Sequence, residues 1–291
     1  MLHIIYNPTS GRNRGARVQE ALKNQLESNG IQHTFWATQK KGDAQSFALQ
    51  LTEQGETDIV SMGGDGTLHE VLNGIYDPSK VHLGIIPCGS GNDFASAIGI
   101  PKQPMDALKL ILESSPKPTD YLECSGVRCI NILGAGIDVD ILRRSYRAKM
   151  LRGSLNYFVS LINALIHFEN CDMDLEIRGQ TTRHSGFIVC ACNGRRFGGG
   201  IEICPDAIVD DGLIDVVLVN GLPRRKYISA VLALARRRLL EQPYTIHERV
   251  QSVRAAFPKP TTLQLDGELY DDLPFDVRVV HDKLRVYRSG V

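Results

Sequence analysis

The residues best able to do chemistry lie in a few glycine-rich segments and two short acidic ones. Gly63-Gly64-Asp65-Gly66-Thr67 follows the apolar run Asp58–Met62 and precedes residues with helical spacing. Glycines at such a strand-to-helix turn let backbone N–H groups approach a phosphate, and the helix N-terminus adds its positive dipole end. An aspartate inside the loop repels phosphate unless a cation or a hydrogen-bonding duty offsets it, so Asp65 points to magnesium-linked chemistry. The plainer reading of Asp-Gly is an ordinary tight turn. Asn7-Pro8-Thr9-Ser10-Gly11, Thr38 and Pro87-Cys88-Gly89-Ser90-Gly91-Asn92-Asp93 each follow another strand candidate. Singly these are loops. At the ends of successive parallel strands they describe one crevice, at the edge where such sheets bind ligands. Neither GxxxxGK[ST] nor GxGxxG occurs in the chain, so P-loop and dinucleotide-fingerprint binding are excluded.

Asp266 and Glu268, in Leu-Asp-Gly-Glu, stand two residues apart, which places both carboxylates on one face if the strand continues that far. Two carboxylates that close can hold a magnesium ion, or raise one pKa so that one serves as general base. Asp-Gly between strands is equally a hairpin signal. Asp93 has a plain alternative as a helix cap before Phe94. His184, His247 and His281 show no metal-ligand spacing, and Arg195-Arg196 before Gly198-Gly199-Gly200 reads as a flexible loop.

These residues need elements to position them. Leu2–Tyr6, His33–Ala37, Asp58–Met62 and Leu83–Ile86 read as strands. They alternate with helices over Ala16–Ser28, Ala44 to about Gln54, from about Thr67, and over Met105–Glu113. That alternation implies βαβ units and a parallel sheet covered on both faces. From about Asp120 the pattern changes. Met173, Leu175 and Ile177 alternate with charged residues. Phe187–Cys192, Leu213–Val219, Val250–Phe257, Thr262–Leu265, Phe275–Val280 and Leu284–Tyr287 are further strands, interrupted by helices over roughly Asp138–Phe168, broken at Gly153, and Arg224–Leu240. The fold class expected is therefore α/β: an N-terminal nucleotide-binding domain (1–118) and a C-terminal antiparallel, sandwich-like domain (119–291), with Ser114–Thr119 as linker.

Together the motifs resemble the diacylglycerol kinase catalytic-domain superfamily, in particular the soluble bacterial lipid kinases related to sphingosine and ceramide kinases. The resemblance rests on IIYNPTSG at the start, GGDGTLHEVLNG at 63–74, PCGSGNDFA at 87–95, PDAIVDDGLIDV at 205–216 and LQLDGE at 263–268. GGDGT alone is shared with NAD kinases; the DDG and LDGE segments point to the lipid kinases. The resemblance implies that Asn7, Pro8, Thr9, Ser10, Gly11, Thr38, Gly63, Gly64, Asp65, Gly66, Thr67, Leu68, His69, Glu70 and Ser90 line an ATP site. It implies Glu268 as proton acceptor facing a lipid hydroxyl, with Asp266 beside it and Asp65 in the catalytic set. It implies a magnesium site of the Asp211 carboxylate and the Ile208 and Leu213 carbonyls, and places Asp93 and Asp120 near a carboxylate network. His69 stands where most relatives have Asn, and Ser90 where many have Thr.

Composition fits that reading. The 291 residues are 43% hydrophobic and 23% charged, and Lys+Arg and Asp+Glu tie at 33 each. No net field recruits nucleic acid or an anionic surface to the whole molecule, so any basic site is local. The longest apolar stretch, Tyr157–Phe168, is interrupted by polar residues and falls short of the roughly 20 needed to span a bilayer. The N-terminus reads as a strand rather than an export signal. Seven cysteines without a CxxC pair fit a reduced, cytoplasmic setting better than disulfides or zinc. In Arg224–Leu240 an apolar stripe is flanked by arginines; it suits either a membrane surface or packing against the protein, and packing is the favoured reading. The expectation is thus an ATP- and magnesium-dependent kinase, acting on diacylglycerol at a membrane surface to give phosphatidic acid, with a homodimer open. The alternatives are another lipid acceptor, an NAD kinase-like activity, or a non-catalytic lipid- or nucleotide-binding module.

Overall fold

The computed structural model describes residues 1–147, 168 and 170–289. Strands β1 (Leu2–Tyr6), β2 (His33–Ala37), β3 (Asp58–Gly63) and β4 (His82–Pro87) run parallel in the order β2-β1-β3-β4. The apolar runs of β1, β3 and β4 are buried on both faces, as a parallel sheet covered by helices requires, while the edge strand β2 is half-buried. Helices α1 (Ser10–Ser28) and α5 (Pro104–Glu113) pack together, as do α2 (Asp43–Glu53) and α3 (Asp65–Gly74). A short helix, α4 (Asp93–Ala97), follows β4. The chain reverses direction across the sheet between β1 and β3, and a ligand crevice opens at such a reversal, beyond the carboxyl ends of the strands.

The remaining strands are largely antiparallel: β5 (Lys117–Cys124), β6 (Val127–Cys129), β7 (Ile132–Gly136), β8 (Cys171–Ile177), β9 (Gln180–Cys192), the small pair β10 (Arg196–Phe197) and β11 (Ile201–Glu202), β12 (Ile214–Asn220), β13 (Thr245–Val250), β14 (Ser252–Ala256), β15 (Leu263–Leu265), β16 (Glu268–Tyr270) and β17 (Phe275–Val286). Alternation along β9 and β12 builds two cores. Val189, Ala191, Val216 and Leu218 enter one, while Cys190, Cys192, Val217 and Val219 enter another, lined also by helix α6 (Ile137–Arg147). Helix α7 (Tyr227–Ala235) closes an apolar cavity over this second face.

Several expectations need correcting. Ser114–Thr119 is not a free linker, because β5 already begins at Lys117 and pairs with Leu284–Val286. Val250–Phe257 is not one strand: β13 ends at Val250 on β12, and β14 continues between β8 and β17. The helix expected over Arg224–Leu240 spans only Tyr227–Ala235, since Arg237 turns to positive φ and ends it. The expected helix over Asp138–Phe168 is seen as α6 up to Arg147; its break at Gly153 lies outside the described residues. One strand ties the molecule together. The first half of β17 pairs with β14 and β5, and after a register break its end runs parallel to β4, so Leu284 and Val286 sit in the N-terminal core.

Candidate active site

Three loops meet at the carboxyl ends of the parallel strands because glycine lets their backbones touch. A Cβ on Gly89 would lie 2.5 Å from the Gly64 Cα, and one on Gly11 (φ +57°) would lie 2.1 Å from the Cys88 carbonyl oxygen. No larger residue fits either place. Backbone bonds complete the junction: Cys88 N donates to the Gly63 carbonyl at 2.7 Å, and Thr38 N to the Tyr6 carbonyl at 2.9 Å.

Between these loops lies a cavity of about 480 Å³. Of the residues expected to hold a nucleotide, it brings together Asn7, Thr9, Ser10, Gly11, Thr38, Gly64, Gly66, Thr67 and Glu70, and Glu268 closes one side. Asn7 Oδ1 accepts from the Thr9 amide and hydroxyl, which folds the loop back on itself. Pro8, Gly63 and Ser90 do not line the cavity; Ser90 is exposed to solvent, and Gly89 lines the wall instead. Glu70 is on the wall, yet its carboxylate accepts from the Gly42 and Ala44 amides and so anchors the start of α2. Lys40 and Lys41, which sequence reasoning missed, also line it.

Glu268 and Gly66 border a second cavity, of about 260 Å³, that also exposes Asp65, Leu68, Asp93, Asp138 and Asp266. Asp65 begins α3, and its two oxygens accept from the Asn92 amide at 2.7 Å and the Asp93 amide at 2.9 Å. It therefore clamps the loop after β4 to the loop after β3. Burial, with the Asp93 charge nearby, pushes its carboxyl up to about 6 despite those two amides. Burial raises Asp93 as well, against the Gly199 amide that it accepts at 2.8 Å.

Asp266 departs from expectation. It and Gly267 both have positive φ and form the two-residue turn of the β15–β16 hairpin, with Leu265 opposite Glu268. The two carboxylates therefore do not share a strand face. Glu268 Oε2 meets Lys41 Nζ at 2.6 Å, whereas Asp266 turns inward. There it accepts from His69 Nδ1 (2.9 Å), the Ile130 and Asn131 amides (3.0 and 2.9 Å) and the Cys129 thiol (3.0 Å). Burial alone would raise its pKa, but those donors, His69 foremost, hold it below the ordinary carboxylate range. His69 is correspondingly withdrawn from the nucleotide crevice, buried with Nε2 2.7 Å from the Tyr270 hydroxyl. This pair joins α3 to the hairpin, while Asp266 also borders the second cavity.

Two family models match this chain along its length. Residues 1–124 match the diacylglycerol kinase catalytic domain, and residues 131–288 the YegS C-terminal NAD kinase beta sandwich-like domain. A Xanthomonas oryzae protein named "Probable lipid kinase YegS-like" is 30% identical over 98% of this chain and 94% of its own. A Staphylococcus carnosus protein named diacylglycerol kinase is 27% identical over 98% and 94%. The chain belongs to the diacylglycerol kinase and YegS-like lipid kinase family. The crystal structure of a diacylglycerol kinase from Bacillus anthracis superposes with a TM-score of 0.81 over 99% of this chain and 97% of that one, at 22% identity, and so shares its fold.

As a lipid kinase of this family, the protein uses ATP, with a divalent metal typical of such enzymes. The turn expected to hold a cation offers the Asp211 carboxylate, a hard oxygen donor of the kind a dication takes. Asp211 Oδ1 accepts from the Leu213 amide, and Oδ2 pairs with Arg249, a half-exposed side chain that also meets Asp215 at 3.6 Å. The neighbouring Gly212 amide donates to Asp120 Oδ2 at 2.7 Å, linking this turn to β5.

Asp138 was not foreseen from sequence. It is 2% exposed in the first turn of α6, and among the described residues neither oxygen makes a well-formed hydrogen bond, although the Val139 amide and the Gln264 side chain lie close by. Among the described residues Asn131 Oδ1 and Gln264 Nε2, on side chains of the same cavity, also lack a well-formed hydrogen bond. Burial pushes the Asp138 carboxyl up to about 7; the nearby amides of Val139 and Gln264 offset this only in part. Asp138 and Phe197 also border the apolar cavity under α7, so the acidic cavity adjoins a greasy one. Nothing local in the sequence marks that junction.

Proposed function

We propose that this kinase transfers the γ-phosphoryl group of ATP to the primary hydroxyl of diacylglycerol at a membrane surface. The observation that carries the reading is the position of Glu268, on the wall shared by the crevice of the glycine loops and the acidic cavity. ATP occupies the crevice, with its phosphates against the amides around Gly64, Gly66 and Gly89 and within reach of Lys41. The acceptor hydroxyl enters from the acidic cavity. Its oxygen bonds to the γ-phosphorus as the bond to the ADP oxygen breaks, and its proton passes to Glu268.

Such a transfer depends mainly on positioning and charge neutralisation. Magnesium bound with the nucleotide supplies positive charge to the phosphate oxygens. At the Asp211 turn, the Asp211 carboxylate with the Ile208 and Leu213 carbonyls would hold a cation that pins the turn against Asp120. Asp65 holds the two glycine loops in register, so it positions the phosphates. Diacylglycerol is favoured because buried polar side chains (Asp138, Asn131, Gln264) with hydrogen-bonding capacity to spare line the cavity that a glycerol headgroup would enter, next to an apolar cavity suited to acyl chains. The name of the Staphylococcus carnosus relative supports that choice, while that of the Xanthomonas oryzae relative specifies only a lipid kinase. Incubation with γ-labelled ATP, magnesium and a panel of diacylglycerol, sphingosine, ceramide, phosphatidylglycerol and NAD tests it. Label in phosphatidic acid supports the reading, and label in another acceptor replaces it.

A further inference from the structure

Helix α7 has two working faces. Tyr227, Ala230, Val231 and Leu234 line the apolar cavity that adjoins Asp138 and Phe197. On the outer side, Ile228 is 76% exposed and Leu232, one turn on, 46% exposed. Single exposed apolar residues are ordinary on any surface, but two stacked one turn apart form a ridge. The charge flanking that ridge along the chain is predominantly basic. Arg224, Arg225, Lys226, Arg236, Arg237 and Arg238 are all exposed, and the chain carries no acidic residue from Val216 to Leu240. Arg237 and Arg238 pair with Glu202 and Glu241; among the described residues the other four form no ion pair. In a chain with zero net charge this is a strong local asymmetry. Leu222 and Leu239, at the two ends of the segment, are buried and anchor it to the domain.

We propose that α7 seats the enzyme on an anionic phospholipid bilayer, with Ile228 and Leu232 in the acyl boundary and Arg224, Arg225, Lys226 and Arg236 among the headgroups. The occupant follows from the combination of an apolar ridge with a rim in which Arg224, Arg225, Lys226 and Arg236 are left to meet anionic headgroups, the pattern of interfacial helices. A second copy of this chain would bring like charges together across the ridge. The helix that meets the lipid then also roofs the cavity, so acyl chains have the shortest path from bilayer to site. This last step rests on the lipid-kinase reading given above; the docking surface itself does not.

Sedimentation of the full-length protein with vesicles tests the surface, using phosphatidylcholine alone or phosphatidylcholine with one third phosphatidylglycerol, at low and high salt and without nucleotide. Binding should rise with phosphatidylglycerol and fall with salt, since screening acts over a Debye length of about 8 Å at physiological ionic strength. The double variant Arg225→Glu with Arg236→Glu should lose binding to the anionic vesicles by roughly 10- to 50-fold, and Ile228→Asp with Leu232→Asp should lose it as well. Both should keep the wild-type thermal midpoint and nucleotide affinity, because the altered side chains are exposed. Wild-type binding by both double variants would overturn the proposal. So would a variant that changes the oligomeric state and leaves vesicle binding intact, which would make the ridge a contact between copies. The vesicle measurement involves no turnover, so it decides the docking surface whichever acceptor the labelling panel names.

Discussion

Lys41 and Glu268 meet at 2.6 Å across the mouth of the nucleotide crevice, although 227 residues separate them in the chain. Lys41 comes from the loop between β2 and α2, and Glu268 from the first position of β16. With the lysine side chain 79% exposed, the pair adds under about 1 kcal/mol to stability. Its consequence is positional: an ammonium group stands beside the crevice and the carboxylate at the same time.

Lys41→Ala should therefore leave the thermal midpoint within error of wild type and raise the KM for ATP about 10-fold or more, the value of one charged hydrogen bond of about 1.5–3 kcal/mol. Calorimetry and initial rates at varied ATP check this. An unchanged KM would take the lysine out of the nucleotide site.

Asp266→Ala tests the latch between α3 and the hairpin. The substitution leaves the Ile130 and Asn131 amides and His69 without their buried acceptor, at an expected cost of about 3–5 kcal/mol. A carboxyl held below its ordinary range contributes stability above the unfolded pKa and loses it as the pH falls through the folded value. Denaturant titrations of the variant should thus show a deficit that is largest near neutrality and shrinks in acid. A catalytic role would instead appear as lost turnover in a fully stable protein.

Asp138 should behave in the opposite sense. Its carboxyl is raised to about 7, so between the unfolded value near 4 and pH 7 the native state holds a proton that the unfolded chain releases. Its contribution is fully present below the unfolded pKa and fades as the pH rises through the folded one. The midpoint of Asp138→Asn minus that of wild type should become more positive from pH 4 to pH 7. A flat difference would mean that the carboxylate has partners in solution.

Asp211→Ala addresses the cation turn. In wild type, magnesium without nucleotide should raise the melting temperature as the cation replaces Arg249 at Asp211; in the variant that increment should vanish. Identical increments in both proteins would leave Asp211 as an ion-pair partner of Arg249 alone.

What could be read from the sequence is what the backbone itself demands. Gly64, Gly89 and Gly11 are needed where loops touch, so contiguous motifs announce the crevice without any tertiary information. The pairing of β17 with β4 could not be foreseen, because Arg285–Val286 and His82–Leu83 meet across two hundred residues and no local pattern names a partner. The same holds inside the site. The spacing of Asp266 and Glu268 suggested a shared face, but a two-residue turn with positive φ at both positions sends the carboxylates to different neighbours. His69 sits within the motif yet points at Asp266, a direction set by helix rotation rather than residue type. Asp138 is distinguished only by what it lacks, and missing partners have no signature in sequence.

In the proposed transfer Glu268 takes the proton of the lipid hydroxyl, and Glu268→Gln isolates that step. The amide keeps the size and the reach to Lys41 but accepts a proton poorly. Removing a general base of this kind costs typically 10²–10⁴-fold in rate. With γ-labelled ATP and diacylglycerol, the variant should form phosphatidic acid at least about 100-fold more slowly per turnover than wild type, with the same thermal midpoint and nearly the same ATP affinity. Near-normal phosphatidic acid formation by Glu268→Gln would mean that another group takes the proton.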